Sequence, residues 1–300
     1  MSEDAAGMTS GMIGLGNMGG RIARRIRDGG LPIRGFDVNA AQAGEAGIDL
    51  AASISELTGS VDVVLLSLPD SSIIERVVLD EGGVASAARN GLIVVDLSTA
   101  SPASSVRLHD RLAEAGVSFL DAGISGGAAA AEKGALTLMV GGDPAALERV
   151  TPILETFSTG IHHMGAPGLG HVTKVLNNFL NGVSLAATAE VMVAAKQAGL
   201  DLAQFLDVVN TSSGVNFATL NRFPRIVQGD YLEGGLTNKL MAKDLRLYLQ
   251  YLQQVSVTSF CGPACLGAFD LATALGYGDQ ISNRVVDAIG DVAGGVRIQP

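Results

Sequence analysis

The chain contains no tryptophan, and aromatic residues make up only 4% of it. Its cores must therefore be built from aliphatic side chains and from helices brought close by small residues, which 39 glycines and many alanines supply. Cysteine is almost missing: Cys261 and Cys265, either side of Gly262-Pro263-Ala264 in an apolar stretch, are the only two. That excludes a disulfide framework beyond a single bond, and both are expected as core thiols. Positive charge is the minority sign, with 20 Lys and Arg against 30 Asp and Glu and a net charge of -10. An acidic surface argues against nucleic acid and membrane surfaces as partners, yet leaves room for a small anionic substrate held by a few local positive groups. No apolar run reaches the roughly 18 residues of a membrane span. Residues 1–10 lack the charged and apolar regions of a leader, so the cytoplasm is the expected compartment. His109, His162, His163 and His171 are scattered, and neither they nor the cysteines form a metal-ligand pattern, so no metal is expected.

What is present points to about two domains, since 300 residues exceed the roughly 100–200 of one. A short strand over residues 8–13, weakened by Ser10 and Gly11, leads into Gly14-Leu15-Gly16-Asn17-Met18-Gly19 and an amphipathic run to Asp28. This G-x-G-x-x-G between strand and helix lets a backbone approach a pyrophosphate at a helix N-terminus. A second strand over 33–37 ends on Asp37, eighteen residues beyond Gly19, where a dinucleotide fold places the acid that bonds the adenosine ribose. The competing reading is a turn aspartate. Asp37 favours NAD over NADP because a 2′-phosphate would meet its charge, although Arg34 stands upstream on the same strand.

Apolar runs follow at βα spacing over 61–68, 92–97, 117–121 and 136–140, with helices over 71–79 and 103–115 between them. Continuous runs of this kind suit a parallel sheet covered on both faces, so a doubly wound sheet is expected. Its ligand edge would include Leu68-Pro69 and Ser98-Thr99. Thr99 is read as functional, and Ser98 and Ser101 are open to a capping role before Pro102. The segment 123–127 reads as a loop in which Ser125-Gly126-Gly127 offers backbone N–H groups and a hydroxyl to a carboxylate. A flexible turn is the alternative.

From about residue 168 strand signals stop. The stretch GLGHVTKVLNNFLN opens a long helix, expected over 172–198, on which Lys174, Asn178 and Asn181 fall at i, i+4 and i+7. Val172, Val175, Leu176, Phe179, Leu180, Val183 and Leu185 flank them, so the helix is expected to be largely buried with its polar stripe facing a polar site. Further helices are expected over 202–210, 238–253 and 263–275.

Four segments in order, GLGNMG, DLSTASP, DAGISGGAAAAEKGALTLMVGG and GLGHVTKVLNN, resemble the β-hydroxyacid dehydrogenases, the family of 3-hydroxyisobutyrate dehydrogenase and tartronate semialdehyde reductase. The likeness runs over residues 12–247. It implies an α/β fold with a doubly wound Rossmann-type parallel sheet domain over 1–168. An all-α domain for substrate binding and oligomerisation would follow over 169–300, joined to it by a long interdomain helix. It implies a cofactor turn at Gly14, Gly16, Asn17, Met18 and Gly19, with Leu68, Pro69 and Thr99 lining an NAD or NADP cofactor. It places a substrate turn at Ser125, Gly126 and Gly127, a catalytic lysine at Lys174 with Asn178 one turn on, and Lys243-Asp244 near cofactor and substrate. It also implies a homodimer or homotetramer and a small carboxylate substrate.

The residues suit that chemistry on their own terms. Lys174 is the one ionisable group on the polar face of the central helix, and as a general base it must be neutral, which partial burial and a cationic nicotinamide favour. Two departures stand out. Gly123 replaces the family's proline, which points to a more mobile loop, and Leu236 replaces a phenylalanine, which enlarges the pocket whose wall would include Val215, Asn216 and Phe217. A 6-phosphogluconate-type decarboxylase would carry a histidine and a glutamate where Asn177 and Asn181 stand. An imine reductase would replace Lys174, and a non-catalytic dinucleotide-binding module would lose it. The substrate side chain and stereochemistry are left open by the sequence.

Overall fold

The structure, a computed structural model, describes residues 7–39, 41, 44–45 and 47–299. Residues 1–6, on which part of the expectation about the chain's start rests, lie outside the described residues. The chain forms two compact units, Met1–Lys174 and Val175–Pro300. The first turns of the long helix Leu169–Gln197 thus pack with the first unit, whereas the expected boundary stood at 168/169.

The first unit is a sheet of eight strands: β1 Ser10–Ile13, β2 Ile33–Phe36, β3 Asp49–Leu50, β4 Val63–Leu66, β5 Ile93–Asp96, β6 Ser118–Ser125, β7 Leu136–Gly141 and β8 Ser158–Gly165. Their spatial order is β3-β2-β1-β4-β5-β6-β7-β8. The order reverses between β1 and β4, which opens a crevice at the carboxyl edge. Successive residues serve opposite faces: Met12, Val63, Leu65, Ile93 and Val95 enter one core, and Ile13, Val64, Leu66 and Val94 the other. This two-sided burial is why these strands read as unbroken apolar runs. Ser10, a weak point of β1 in the sequence, fits because its hydroxyl donates to Pro32 O at 2.9 Å.

Three features differ from expectation. β7 runs antiparallel to β6, pairing Ser125 with Thr137 and Asp121 with Gly141. Only ten residues separate the two strands, fewer than the dozen or so that a parallel crossover needs. β3 and β8 were not anticipated; β3 is two exposed residues and β8 a largely exposed edge strand, so neither carries an apolar run. The segment 123–127 is not a loop: Gly123, Ile124 and Ser125 belong to β6, and a helix, Gly127–Lys133, starts directly after Gly126.

The second unit is helical. Behind the long helix come Leu202–Asn210, Phe217–Asn221, Phe223–Ile226, Asn238–Gln254, Gly262–Ala272 and Val285–Val292. Leu185, Ala189, Met192, Leu206, Phe223, Met241, Leu245, Phe269 and Val285 form their common core. Cys265 is buried there, and burial pushes its thiol up to about 12. Cys261 corrects the expectation of two core thiols: it is exposed, because it sits at the N-cap of Gly262–Ala272, ahead of the helix's buried face. No helix among the described residues is long and apolar enough to cross a membrane.

The long helix is buried differently from the reading of its flanks. Lys174 and Asn178 are 8% and 4% exposed, while Leu176 and Leu180 are 39% and 65% exposed. With Leu169 and Val191 these leucines form an outward apolar stripe at helical spacing, so the polar face points in and an apolar one out.

Candidate active site

The turn after β1 is built for close backbone approach. Gly14 has φ +91°, and a Cβ there would press on the carbonyl of Ser67 at the end of β4; a Cβ at Gly19 would press on the carbonyl of Gly14. Met18 stands at the N-cap of Gly19–Asp28 without a side-chain cap; Gly20 N–H already donates to Gly16 O at 3.0 Å, so the turn offers a ligand the positive end of the helix and its closely approaching backbone. Asp37 lies where the sequence placed it. Its Oδ2 accepts from Leu15 N–H at 2.7 Å and its Oδ1 from Asn39 N–H at 2.7 Å, tying the end of β2 to the glycine turn. A carboxylate has about four acceptor positions, so two remain for ribose hydroxyls. Arg34 points to other duties: it pairs with Glu56 at 2.7 Å and donates to Ser60 Oγ at 3.0 Å. Beside the turn lies a cavity of about 240 Å³ lined by Leu15, Gly16, Asn17, Arg21, Arg24 and Glu45. A bound dinucleotide fits this set: glycines without room for a side chain, a helix N-terminus and a carboxylate on the neighbouring strand.

The other loops of the same edge are stitched to one another. Ser98 Oγ accepts from Leu68 N–H at 2.9 Å, which fixes the turn carrying Leu68 and Pro69 beside Thr99. Ser98 N–H in turn donates to Asp96 Oδ1 at 3.0 Å. Ser98 therefore braces a loop instead of capping a helix. Ser101 occupies the N-cap position before Pro102, but its side chain accepts no helix N–H, and its own amide donates to Ser71 Oγ at 2.8 Å.

Lys174 reaches this edge from the start of the long helix. Asp121, fully buried at the β6 position opposite Asp96, anchors that start by accepting from Gly168 N–H and His171 N–H, each at 2.7 Å. His171 is buried as well, with Nδ1 2.7 Å from Ser105 Oγ. Burial pushes the Asp96 carboxyl above its ordinary range, against the opposing charge of His171 and the hydrogen bonds of Ser98. The helix so placed lays Lys174 on β6. A Cβ added at Gly123 would stand 2.9 Å from Lys174 Cγ and nearer still to its Cβ. Gly123 is thus paired within the ladder, opposite Met139, and its missing side chain is the lysine's seat, which replaces the expectation of a mobile loop. Ser125, two residues on, faces the same side of the strand. After it Gly126 and Gly127 take φ values of +125° and +69° and turn the chain into the next helix.

In the second unit Asn178 Nδ2 donates to Asp244 Oδ2 at 2.6 Å, and Asp244 Oδ1 lies 3.2 Å from Lys243 Nζ. Asp244 is 2% exposed, so a carboxylate is held inside by an amide and an amine. Leu236 is half-buried against the helical core. Asn216 is no free wall residue: it caps Phe217–Asn221 reciprocally with Thr219. Arg222, which sequence reading passed over, donates to Asn181 Oδ1 at 2.8 Å and Asn283 Oδ1 at 2.7 Å. Asp96, Asp121 and His171 were likewise not singled out for the site, although an aspartate inside the apolar run 92–97 and another closing the run 117–121 were a usable signal. A groove of about 720 Å³ along Leu200, Leu206, Pro224 and Val227 contains none of the candidate residues. Among the described residues no cluster of three His, Cys, Asp or Glu is placed to hold a metal.

Over residues 9–165 the chain matches the family described as the NAD binding domain of 6-phosphogluconate dehydrogenase. Over 168–289 it matches that described as NAD-binding of NADP-dependent 3-hydroxyisobutyrate dehydrogenase. It is 31% identical over 279 residues to the 2-(hydroxymethyl)glutarate dehydrogenase of Eubacterium barkeri, covering 92% of this chain and 93% of that protein. It is 36% identical over 278 residues to the NAD-dependent L-serine dehydrogenase of Pseudomonas aeruginosa, covering 89% and 93%. The solved structure of Mycobacterium tuberculosis 3-hydroxyisobutyrate dehydrogenase with L-serine matches with a TM-score of 0.84 at 29% identity, over 93% of this chain and 98% of that one.

Proposed function

Since the chain belongs to the β-hydroxyacid dehydrogenase family and is an NAD(P)-dependent oxidoreductase, we propose that it interconverts a small β-hydroxyacid and its semialdehyde with Lys174 as general acid and base. The observation that carries this reading is the seating of Lys174 on Gly123 of β6, on the strand face that also presents Ser125. When bound at the glycine turn, NAD(P) supplies the hydride acceptor for oxidation and the hydride donor for reduction. Ser125 and the amides of Gly126 and Gly127 hold the substrate carboxylate, which directs the hydroxyl towards Lys174. In oxidation Lys174 Nζ takes the hydroxyl proton as the carbinol C–H bond breaks; in reduction its ammonium returns a proton to the carbonyl oxygen. Asn178, one turn further on the same helix, keeps hydroxyl and amine in line, and its own orientation is fixed by Asp244, which Lys243 neutralises.

NAD is the preferred cofactor in this reading, because the Asp37 carboxylate repels a 2′-phosphate and Arg34 is occupied by Glu56. The retained lysine speaks against an imine reductase and against a non-catalytic binding module. The apolar stripe Leu169, Leu176, Leu180 and Val191 supports a homo-oligomer packed through the long helix. The test of function is a panel of β-hydroxyacids and semialdehydes assayed by NADH and NADPH absorbance, with cyclic imines alongside. Turnover of a hydroxyacid or its semialdehyde, faster with NAD(H), is expected. Turnover of imines alone, or of nothing despite tight cofactor binding, overturns the proposal.

A further inference from the structure

The helix that follows the glycine turn, Gly19–Asp28, carries four arginines, and they divide by what they touch. Arg25 donates to Thr156 O at 3.3 Å, and Arg27 pairs with Asp28 at 2.8 Å and donates to Gly47 O at 2.8 Å. Arg21 and Arg24, three positions apart and so on one face of the helix, line the cavity of about 240 Å³ together with Leu15, Gly16 and Asn17 of the turn itself. Arg21 is held from two sides. Its Nη1 donates to the backbone oxygen of Asn17 at 2.6 Å and to the side-chain Oδ1 of the same residue, and its Nε pairs with Glu132 of the helix Gly127–Lys133 at 3.0 Å. Those bonds use three of the five N–H donors of the guanidinium, and Nη2 has no partner among the described residues. Arg24 is held more loosely: its hydrogen bond to Glu45 O is 3.5 Å long, and Glu132 stands 3.9 Å away.

A dinucleotide brings two phosphate charges to this turn, where the nearby carboxylates work against it. Asp37 is bonded to the turn through Leu15 N–H, Glu45 lines the cavity, and the chain as a whole stands at -10. The helix N-terminus answers with partial positive charge only. Arg21 and Arg24 are the two cations of the lining, and the carboxylate paired with both, Glu132, has a side chain 60% exposed, so water screens much of its charge. Arg21 differs from Arg24 in being pre-oriented: both oxygens that fix its Nη1 belong to the turn. A fork held in this way loses little side-chain entropy when a phosphate oxygen reaches Nη2.

We propose that Arg21, oriented by Asn17 and Glu132, clamps the pyrophosphate of the cofactor through Nη2, so that a side chain two positions beyond the last glycine completes the glycine turn. This rests on the reading of that turn as the dinucleotide site. The test is a fluorescence titration of NADH and NADPH into the wild type, Arg21→Gln, Arg21→Lys and Arg24→Gln at low and high salt. Arg21→Gln is expected to weaken both cofactors alike by about 10-fold, the lower end of the roughly 10- to 100-fold that charged hydrogen bonds are worth, because the side chain is 31% exposed. Arg21→Lys should lose less, and added salt should weaken NADH binding less in Arg21→Gln than in the wild type. A loss confined to NADPH would put the guanidinium at the 2′-phosphate, and an equal or larger loss in Arg24→Gln would give the clamp to that residue; either overturns the proposal. Unchanged affinity in Arg21→Gln overturns it too and leaves Arg21 a brace between two helices. Should Arg21→Gln not fold, Arg21→Lys decides: a smaller loss shared by both cofactors supports the clamp, and no loss overturns it. Failure of the wild type to bind either cofactor would instead sink the reading of the turn beneath it.

Discussion

Gly123→Ala puts one methyl group where the lysine now sits. The added Cβ would lie 2.9 Å from Lys174 Cγ and closer to its Cβ, whereas carbon atoms rest about 3.5–4.0 Å apart. Rotation of the side chain does not relieve the overlap, because the nearest atom is attached directly to the helix backbone. The helix start must retreat by about 1 Å, a misplacement worth up to about 10²-fold in rate. Asp121 resists that retreat through its bonds to Gly168 and His171 at 2.7 Å each, so part of the strain should also appear as a loss of about 1–3 kcal/mol in stability. The assay is kcat at saturating cofactor and substrate, together with NADH affinity and a thermal melt. The expected result is a kcat lowered about 10- to 100-fold with NADH affinity kept, since the glycine turn lies on other strands. A variant with wild-type kcat and an unchanged melt would refute the seating of Lys174 on β6.

Asp37→Ala should weaken NAD(H) more than NADP(H), which fluorescence titration of both cofactors checks; equal weakening would remove the carboxylate from the ribose site. Asp96 offers a test in pH. Its folded pKa is raised by burial, so the stability it contributes is present in full below its unfolded value of about 3.9 and is lost as pH rises through the folded value. Asp96→Asn should therefore gain in Tm relative to the wild type as pH climbs out of the acid range, and parallel Tm profiles would contradict this. Light scattering should find more than one copy per particle, and Leu180→Lys, which charges the most exposed leucine of the outward stripe, should shift the population towards monomer; a wild-type monomer would refute the assembly.

The sequence was most legible where burial is symmetrical. β4 and β5 were placed to within two residues because each alternates between two cores and so reads as an apolar run, whereas β1 and β2, which carry Ser10, Gly11, Arg34 and Gly35, were placed by the glycine turn and Asp37 that follow them. The direction of β7 was hidden, since an apolar run has no sign; the shortness of its connection to β6 held that information instead. β8 escaped because an exposed edge strand needs no apolar pattern, and His162, His163 and Met164 lie on it largely in solvent. Within the candidate site, elements local in sequence were readable: the glycine turn, Asp37, and the spacing of Lys174 with Asn178. Partnerships assembled from distant segments were not. Asp121 meets residues 47 and 50 positions away, and Arg222 meets Asn181 and Asn283 across 41 and 61 positions, so no spacing rule could pair them. Gly123 shows the same limit from another side: a departure from the family pattern suggested mobility, and only its neighbour in space gives it a purpose.

The central claim is that Lys174 moves the proton that accompanies hydride transfer. Its most direct test is the single-turnover rate of NADH formation in Lys174→Ala beside the wild type, with cofactor affinity measured on the same samples. A rate lowered by at least about 10²-fold, with NAD(H) bound as tightly as before, is the predicted outcome. Wild-type turnover in the variant would contradict the account and return the proton to water or to another group.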